Sequence, residues 1–316
     1  MTHDPRAHPE GRLGLGLAAL GRPGYINLGH GEDLASETDV PALESRAHAV
    51  LDAALAGGVR YFDAARSYGR AEEFLGSWFQ ERAIRPGEVT VASKWGYTYT
   101  AGWRVDAERH EVKDLSLENL TRQIAESRAI LGEHLQLYQI HSATLESRVL
   151  EDRALLNELA RLRESGLRIG LTVSGPRQRE TIERALEVGG FDAVQATWNL
   201  YERSAGPALA DADGAGLAVI VKEALANGRL TARGGDPRLL DAAEQRAASP
   251  DALALAAALV QPWAHVVLSG AATVPHLESN LAARTIDYDG ELDEELAPLT
   301  EDRDAYWETR ADLNWN

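Results

Sequence analysis

VRYFDAARSYGRAEEFLGSWFQERAIRPGEVTVASKW, residues 59–95, reads as one strand–helix–strand unit. Its ends, VRYFDAA (59–65) and VTVASKW (89–95), are short apolar runs rich in β-formers, and the stretch near 70–83 between them carries a helical pattern. The same alternation extends in both directions. Apolar runs recur at LGLGLAAL (13–20), LQLYQIHS (135–142), LRIGLTVS (167–174), AVQATWNL (193–200), LAVIVKEA (217–224) and HVVLSGA (265–271). Helical patterns lie near 43–56, 117–132, 150–165, 177–188, 206–215, 251–260 and 275–284. Eight strands alternating with eight helices predict an α/β fold with a parallel sheet, and eight is the number that closes a (β/α)8 TIM barrel. Several runs are continuously apolar, as strands buried on both faces are. No GxGxxG opens a helix after any strand, which disfavours the doubly wound alternative.

The 316 residues, 44% of them hydrophobic, suffice for one large core, so residues 1–316 are expected to form a single barrel domain. Chain beyond a minimal barrel of about 250 residues falls at 21–42, 96–116, 229–250 and 287–316, predicting extended βα loops and a C-terminal tail. The tail, DAYWETRADLNWN, has two readings: aromatics packed over the barrel, or aromatics walling a pocket. A formal charge of −17 argues against nucleic-acid and anionic-membrane partners, which call for a basic face. With no cysteine there is no disulfide framework, thiolate nucleophile or cysteine-held zinc, and no strong metal-ligand spacing stands out. MTHDPRAHPEGR (1–12) lacks a signal-peptide core, which makes the cytoplasm the expected location. Arginine supplies nearly all the basic residues; the three lysines are Lys94, Lys113 and Lys222.

In a (β/α)8 barrel, chemistry sits where strands end and βα loops begin. The second run ends in Asp63, with Tyr68 in the loop after it; the third ends in Lys94 and the fourth in His141. Taken singly, Asp63 reads as a helix cap, Lys94 as a surface lysine, although its run VASKW favours burial, His141 as a satisfied core histidine and Tyr68 as a packing residue. Adjacent strands lie about 4.8 Å apart, so these ends bring an acid, an ammonium, an imidazole and a phenol together. A buried Lys94 needs the counter-charge of Asp63. The ammonium, worth about 4 kcal/mol at 4 Å and an effective dielectric of 20, is expected to lower the Tyr68 pKa from about 10. A neutral His141 would orient a carbonyl oxygen toward Tyr68. The set is apparatus for protonating an oxygen while a hydride reaches its carbon.

At these residues the chain resembles the aldo-keto reductases. GVRYFDAARSYGRAEEFLG (58–76) is similar to the family signature, in which an aspartate and a tyrosine are separated by four residues; VASKWG (91–96) resembles its lysine segment and LYQIHS (137–142) its histidine segment. The resemblance runs from Leu13 to about Ala283 and implies the barrel, a nicotinamide coenzyme, and catalytic roles for Asp63, Tyr68, Lys94 and His141. It further implies that Ser174 and Gln195 hold the nicotinamide carboxamide. The loop Leu225, Ala226, Asn227 and Gly228 would lie along the pyrophosphate. The segment LSGAATVPHLESNLAA (268–283), with Ser269, Gly270, Ala271, His276 and Asn280, resembles the adenosine-phosphate clamp, and Glu278 or Ser279 could line the same site. Four positions depart from the common pattern: Gly175 stands for an asparagine, Lys222 for the nicotinamide-stacking aromatic, Gly270 for a lysine and His276 for an arginine. Lys222 has two readings, a coenzyme contact or an internal ion pair with Glu223 or Asp63. NADP is expected slightly ahead of NAD.

The implied reaction is hydride transfer between NAD(P)H and an aldehyde, ketone or open-chain sugar, with Tyr68 as general acid/base. Two readings from other classes stay open: a Schiff-base lyase or aldolase using Lys94 or Lys222, and a coenzyme-sensing subunit without turnover. Tyr25, Trp95, Tyr97 and Trp103 are the expected substrate wall, with Tyr99 and Trp198 as further candidates. The residues fix neither oligomeric state nor substrate.

Overall fold

A computed structural model of the chain describes residues 12–35 and 37–316. The N-terminal segment read above as lacking a leader therefore lies, through residue 11, outside the described residues. In chain order the strands are β1 (Leu13–Gly16), β2 (Tyr61–Asp63), β3 (Thr90–Trp95), β4 (Tyr97–Tyr99), β5 (Glu111–Lys113), β6 (Leu135–Ala143), β7 (Arg168–Val173), β8 (Ala193–Thr197), β9 (Ala218–Lys222) and β10 (Val266–Ser269). The helices are α1 (His30–Leu34), α2 (Val40–Ala56), α3 (Ala71–Glu81), α4 (Leu117–Leu131), α5 (Arg153–Glu164), α6 (Gln178–Val188), α7 (Gly206–Gly214), α8 (Pro237–Gln245), α9 (Pro250–Leu259), α10 (Val274–Leu281), α11 (Gly290–Leu296) and α12 (Arg303–Ala311). Eight strands close a parallel barrel in the order β1-β10-β9-β8-β7-β6-β3-β2, as expected from the alternating runs.

The helix starts follow local chemistry. Asp39, Ser116, Asp152, Ser249 and Thr273 accept backbone N–H bonds at the first turns of α2, α4, α5, α9 and α10, and proline sits early in α2, α9 and α10. The four surplus segments hold α1, the antiparallel β4–β5 hairpin, α8, and the pair α11 and α12.

Strand alternation divides the core in two. Tyr61, Ala92, Leu137, Ala193, Ile220, Val266 and Leu268 fill the barrel interior, whereas Phe62, Val91, Trp95, Ile140 and their neighbours pack outward against the helices. Asp63, Lys94, Gln195 and Lys222 each stand two residues beyond an interior residue of the same strand. They therefore form the next inward-facing level, at the C-terminal mouth. The same rule corrects the expectation for Trp95: beside an inward Lys94 it must point outward, and it is fully buried in the outer core. No helix among the described residues is long and apolar enough to cross a membrane.

Candidate active site

A close crossing of the chain places Tyr68. The backbone turns at Gly21 and Gly69 meet so closely that a Cβ on Gly21 would lie 2.1 Å from the Tyr68 carbonyl and one on Gly69 2.3 Å from the Gly21 carbonyl. Glycine is what permits this contact. Arg70 N–H donates to Gly21 O at 2.7 Å, closing the crossing. Below it, buried Glu72 accepts from Arg66 (2.5 Å), Ser93 (2.5 Å) and Ser127 (2.7 Å), which ties the Tyr68 loop to β3 and α4.

Lys94 Nζ is ion-paired directly with Asp63 Oδ1 and donates to the Ala64 carbonyl (3.0 Å) and the Tyr68 hydroxyl oxygen (3.2 Å). The other carboxylate oxygen of Asp63 accepts from Gln139 (3.2 Å) and Gln195 (3.0 Å). The buried charges are thus paired and hydrogen-bonded, the condition under which a buried ion pair is tolerated. His141 completes the group: its ring meets those of Tyr68 (5.5 Å) and Tyr97 (4.9 Å) edge-on. A bulge between Ile140 and Ala143, with Ser142 at φ +57, interrupts the β6–β7 register beside His141. Its buried Nδ1 has no hydrogen-bond partner.

Burial pushes the His141 imidazole well below its usual range, and the Lys94 and Arg22 charges push the same way, so the ring is neutral. Burial also lowers the Lys94 ammonium, against the pull of Asp63. For Tyr68 the expectation is overturned. Burial, reinforced by the Asp63 carboxylate, raises the phenol well above 10, and Arg22 offsets only part of this. Desolvation of the phenolate and the nearby carboxylates outweigh the Arg22 charge.

Above this group opens a cavity of about 740 Å³. Asp63, Tyr68 and His141 line it, while Lys94 lies just beneath its floor. All of Ser174, Gln195, Lys222, Leu225, Asn227, Gly228, Ser269, Gly270, Ala271, His276 and Asn280 line it too, as do Tyr25 and Tyr97. Some of these side chains are already engaged: Ser174 with Ser142 (3.1 Å), Gln195 with Asp63, and Asn280 with Ser269 and Asp251 (2.7 Å each). Trp95 and Trp103 are outside the cavity. Trp103 donates its indole N–H to Thr38 O (2.7 Å) and packs edge-on to Phe74. Tyr99, Trp198 and Glu278 also lie away from it.

Lys222 lines the cavity and also makes an internal contact. Its Nζ donates to Thr197 Oγ1 (2.7 Å) and lies 3.9 Å from Glu223, which Arg310 of α12 grips through Nε and Nη2. Burial brings Lys222 down to about 8 despite Glu223; burial opposes ionisation of Glu223, yet Arg310 and Lys222 hold it at about 2.

Sequence reasoning overlooked Arg22, Asp33, Glu111, Arg233 and Arg310 as cavity residues. Arg22 is almost wholly buried, stacked over Tyr25, Tyr68 and Trp315, and paired with Glu111 of the hairpin (3.1 Å). Its place just after the first strand was the available signal. Both readings of the tail are met: Tyr306 and Trp307 are buried in the core, while Trp307 and Trp315 line the cavity, with Lys222 Nζ 5.7 Å from the centre of the Trp307 ring.

The aldo/keto reductase family model matches residues 12–296, nearly the whole chain. The chain belongs to the aldo/keto reductase family. It is 24% identical over 193 residues to the uncharacterized oxidoreductase YqkF of Bacillus subtilis (strain 168), spanning 60% of this chain and 58% of that protein. It is 29% identical over 152 residues to pyridoxal 4-dehydrogenase of Microbacterium luteolum, 42% of this chain and 41% of that protein. These sequence matches thus cover less than two thirds of either relative. Solved structures share the barrel: aldo-keto reductase AKR11C1 from Bacillus halodurans, in a holo form, has a TM-score of 0.70 at 19% identity over 92% of each chain. Glycerol dehydrogenase AKR11B4 from Gluconobacter oxydans has a TM-score of 0.69 at 22% identity over 91% of this chain and 90% of that one.

Proposed function

We propose that this reductase interconverts a small carbonyl compound and its alcohol by hydride transfer with NAD(P)H, using Tyr68 as the proton donor and acceptor. The observation that carries the reading is the convergence of Tyr68, His141 and the Lys94–Asp63 pair at one end of a cavity large enough for a dinucleotide and a small substrate. The cavity fits the coenzyme in kind. It continues from the tetrad past Ser174 to the 225–228 loop and the start of α10, and an added Cβ on Gly175 or Gly270 would meet nothing within 4 Å.

A reduced nicotinamide bound there supplies a hydride to the carbonyl carbon. As the C=O π electrons move onto oxygen, Tyr68 gives that oxygen its phenolic proton. His141, held neutral, donates an N–H to the same oxygen and fixes its approach. The phenolate left behind faces Lys94 Nζ, and Arg22 stacks on its ring, so two cations meet the charge as it forms. Alcohol oxidation runs the same steps backward, and a relative named as a dehydrogenase fits that direction.

Replacing Tyr68 with phenylalanine removes the proton without removing the ring. The expected result is a fall in kcat of about a thousandfold on an aldehyde or ketone panel, with coenzyme binding retained. Wild-type kcat in Tyr68→Phe overturns the assignment. The Schiff-base reading keeps a foothold only at Lys222, which reaches the cavity and ionises near pH 8; Lys94 is sealed against Asp63. Borohydride trapping of a carbonyl on Lys222 would favour that reading.

A further inference from the structure

The two nicotinamide coenzymes differ by one phosphate on the adenosine ribose, so the far end of the cavity decides between them. Hydride transfer must occur beside Tyr68 and His141. Whatever dinucleotide binds therefore carries its second nucleotide toward the opposite end, which Asp33, Arg233, Asp251, His276, Ser279 and Asn280 line.

That end is poor in available positive charge. Its guanidinium, Arg233, donates from Nη1 and Nη2 to the two carboxylate oxygens of Asp33 (2.9 and 2.5 Å) and from Nη1 to Leu28 O (3.1 Å). His276 Nε2 also faces Asp33, at 3.6 Å. Asp251 accepts one N–H of the Asn280 amide, whose oxygen takes the Ser269 hydroxyl, so Asn280 is held beside a carboxylate and brings no charge. Two carboxylates and one guanidinium leave the end negative when His276 is neutral. Gly270 adds no side chain.

A ribose hydroxyl suits this inventory because it has a proton to give to a carboxylate. A phosphate dianion has none. To be paired it must draw Arg233 away from Asp33 and strand a carboxylate that is only 9% exposed. We propose that the cavity selects NAD(H) over NADP(H), with Asp33 as the discriminating residue: it accepts a hydrogen bond from the ribose hydroxyl and withholds Arg233 from a 2′-phosphate. This rests on the hydride-transfer reading and reverses the order of coenzymes expected from sequence.

The test is equilibrium titration of the full chain with NADH and with NADPH, followed by quenching of tryptophan emission, since Trp307 and Trp315 line the cavity. Wild-type protein is expected to bind NADH at least about tenfold tighter than NADPH. Asp33→Asn keeps an acceptor for the hydroxyl but releases Arg233. It should tighten NADPH by about tenfold and change NADH by less than about threefold. Arg233→Ala should leave NADPH no tighter. Equal or tighter wild-type binding of NADPH overturns the inference while sparing the reductase reading. So does an unchanged coenzyme ratio in an Asp33→Asn protein with the wild-type melting temperature. If that variant does not fold, the wild-type ratio alone still decides. Binding of neither coenzyme removes the hydride-transfer reading itself and this inference with it.

Discussion

Tyr68 touches Lys94 Nζ through its hydroxyl and Arg22 through its ring face, and both cations favour the phenolate that burial and Asp63 oppose. Reduction consumes the phenol; oxidation requires the phenolate. Burial and Asp63 hold Tyr68 in the phenol form, and Arg22 works against them. At 5.3 Å and an effective dielectric of 20, a full positive charge contributes about 3 kcal/mol toward the phenolate, less whatever Glu111 cancels. Replacing Arg22 with glutamine should therefore move the pH at which alcohol oxidation is half-maximal upward. At about pH 8 the oxidation kcat should drop about tenfold, while carbonyl reduction at about pH 6 changes less than about threefold. Arg22→Lys should restore most of the oxidation rate. Equal losses in both directions at every pH would mean Arg22 only holds the loop together. The four tetrad residues were legible because each ends a strand or follows one closely. Arg22 also follows a strand, but its role depends on a stack in which Tyr68 and Trp315, distant in sequence, join the nearby Tyr25.

Among the elements, the barrel strands and their helices could be read in advance because burial on both faces and amphipathic periodicity leave marks along the chain. The β4–β5 hairpin left none: its strands are three residues each and half exposed, and residues 96–116 read only as a loop rich in aromatic and charged residues. Trp95 shows the cost of reading composition without pleat. Its place at the loop after the third run suggests the pocket, yet the two-residue period sends it and Lys94 to opposite faces. The hairpin springs from Gly96, at φ +112, where a Cβ would lie 2.4 Å from Leu115 Cδ2. The Gly96 amide is held by Gln123 (2.8 Å), and the same side chain donates to Tyr97 O (2.9 Å). Gly96→Ala is expected to cost about 1–3 kcal/mol. It should tilt the hairpin, displacing Tyr97 and Glu111, and raise KM for the carbonyl while coenzyme affinity stays near wild type. Loss of coenzyme binding instead would show that the hairpin is not confined to the substrate side.

At the scale of the molecule, three distant segments are tied across the barrel mouth. Leu28 N–H donates to Asn227 O (3.0 Å), Arg233 reaches Leu28 and Asp33, and Asn316 exchanges backbone bonds with Tyr25 (3.1 Å each way) while its side chain bonds Asn27 O and Gly31 N–H. His30 lies buried within this closure. Burial takes its imidazole down to about 4; Asp33 pulls the other way, and the Arg22 and Arg46 charges add to the fall. A histidine with a folded pKa below its unfolded value of 6.5 keeps its full contribution to stability above pH 6.5 and loses it as pH falls toward 4, because the unfolded chain binds the proton first. His141 contributes in the same direction. Glu223, held at about 2 against an unfolded 4.5, begins to cost stability only below about pH 4.5, so the histidines govern the window above it. Between about pH 8 and pH 5 the His30 share amounts to roughly 2 kcal/mol. Denaturant unfolding at several pH values should show stability falling through this range, and His30→Met should remove about that much of the slope. An identical slope in His30→Met would show that His30 is not the proton-sensitive part of the closure and would leave His141 and His110, whose imidazoles burial also lowers, to account for it.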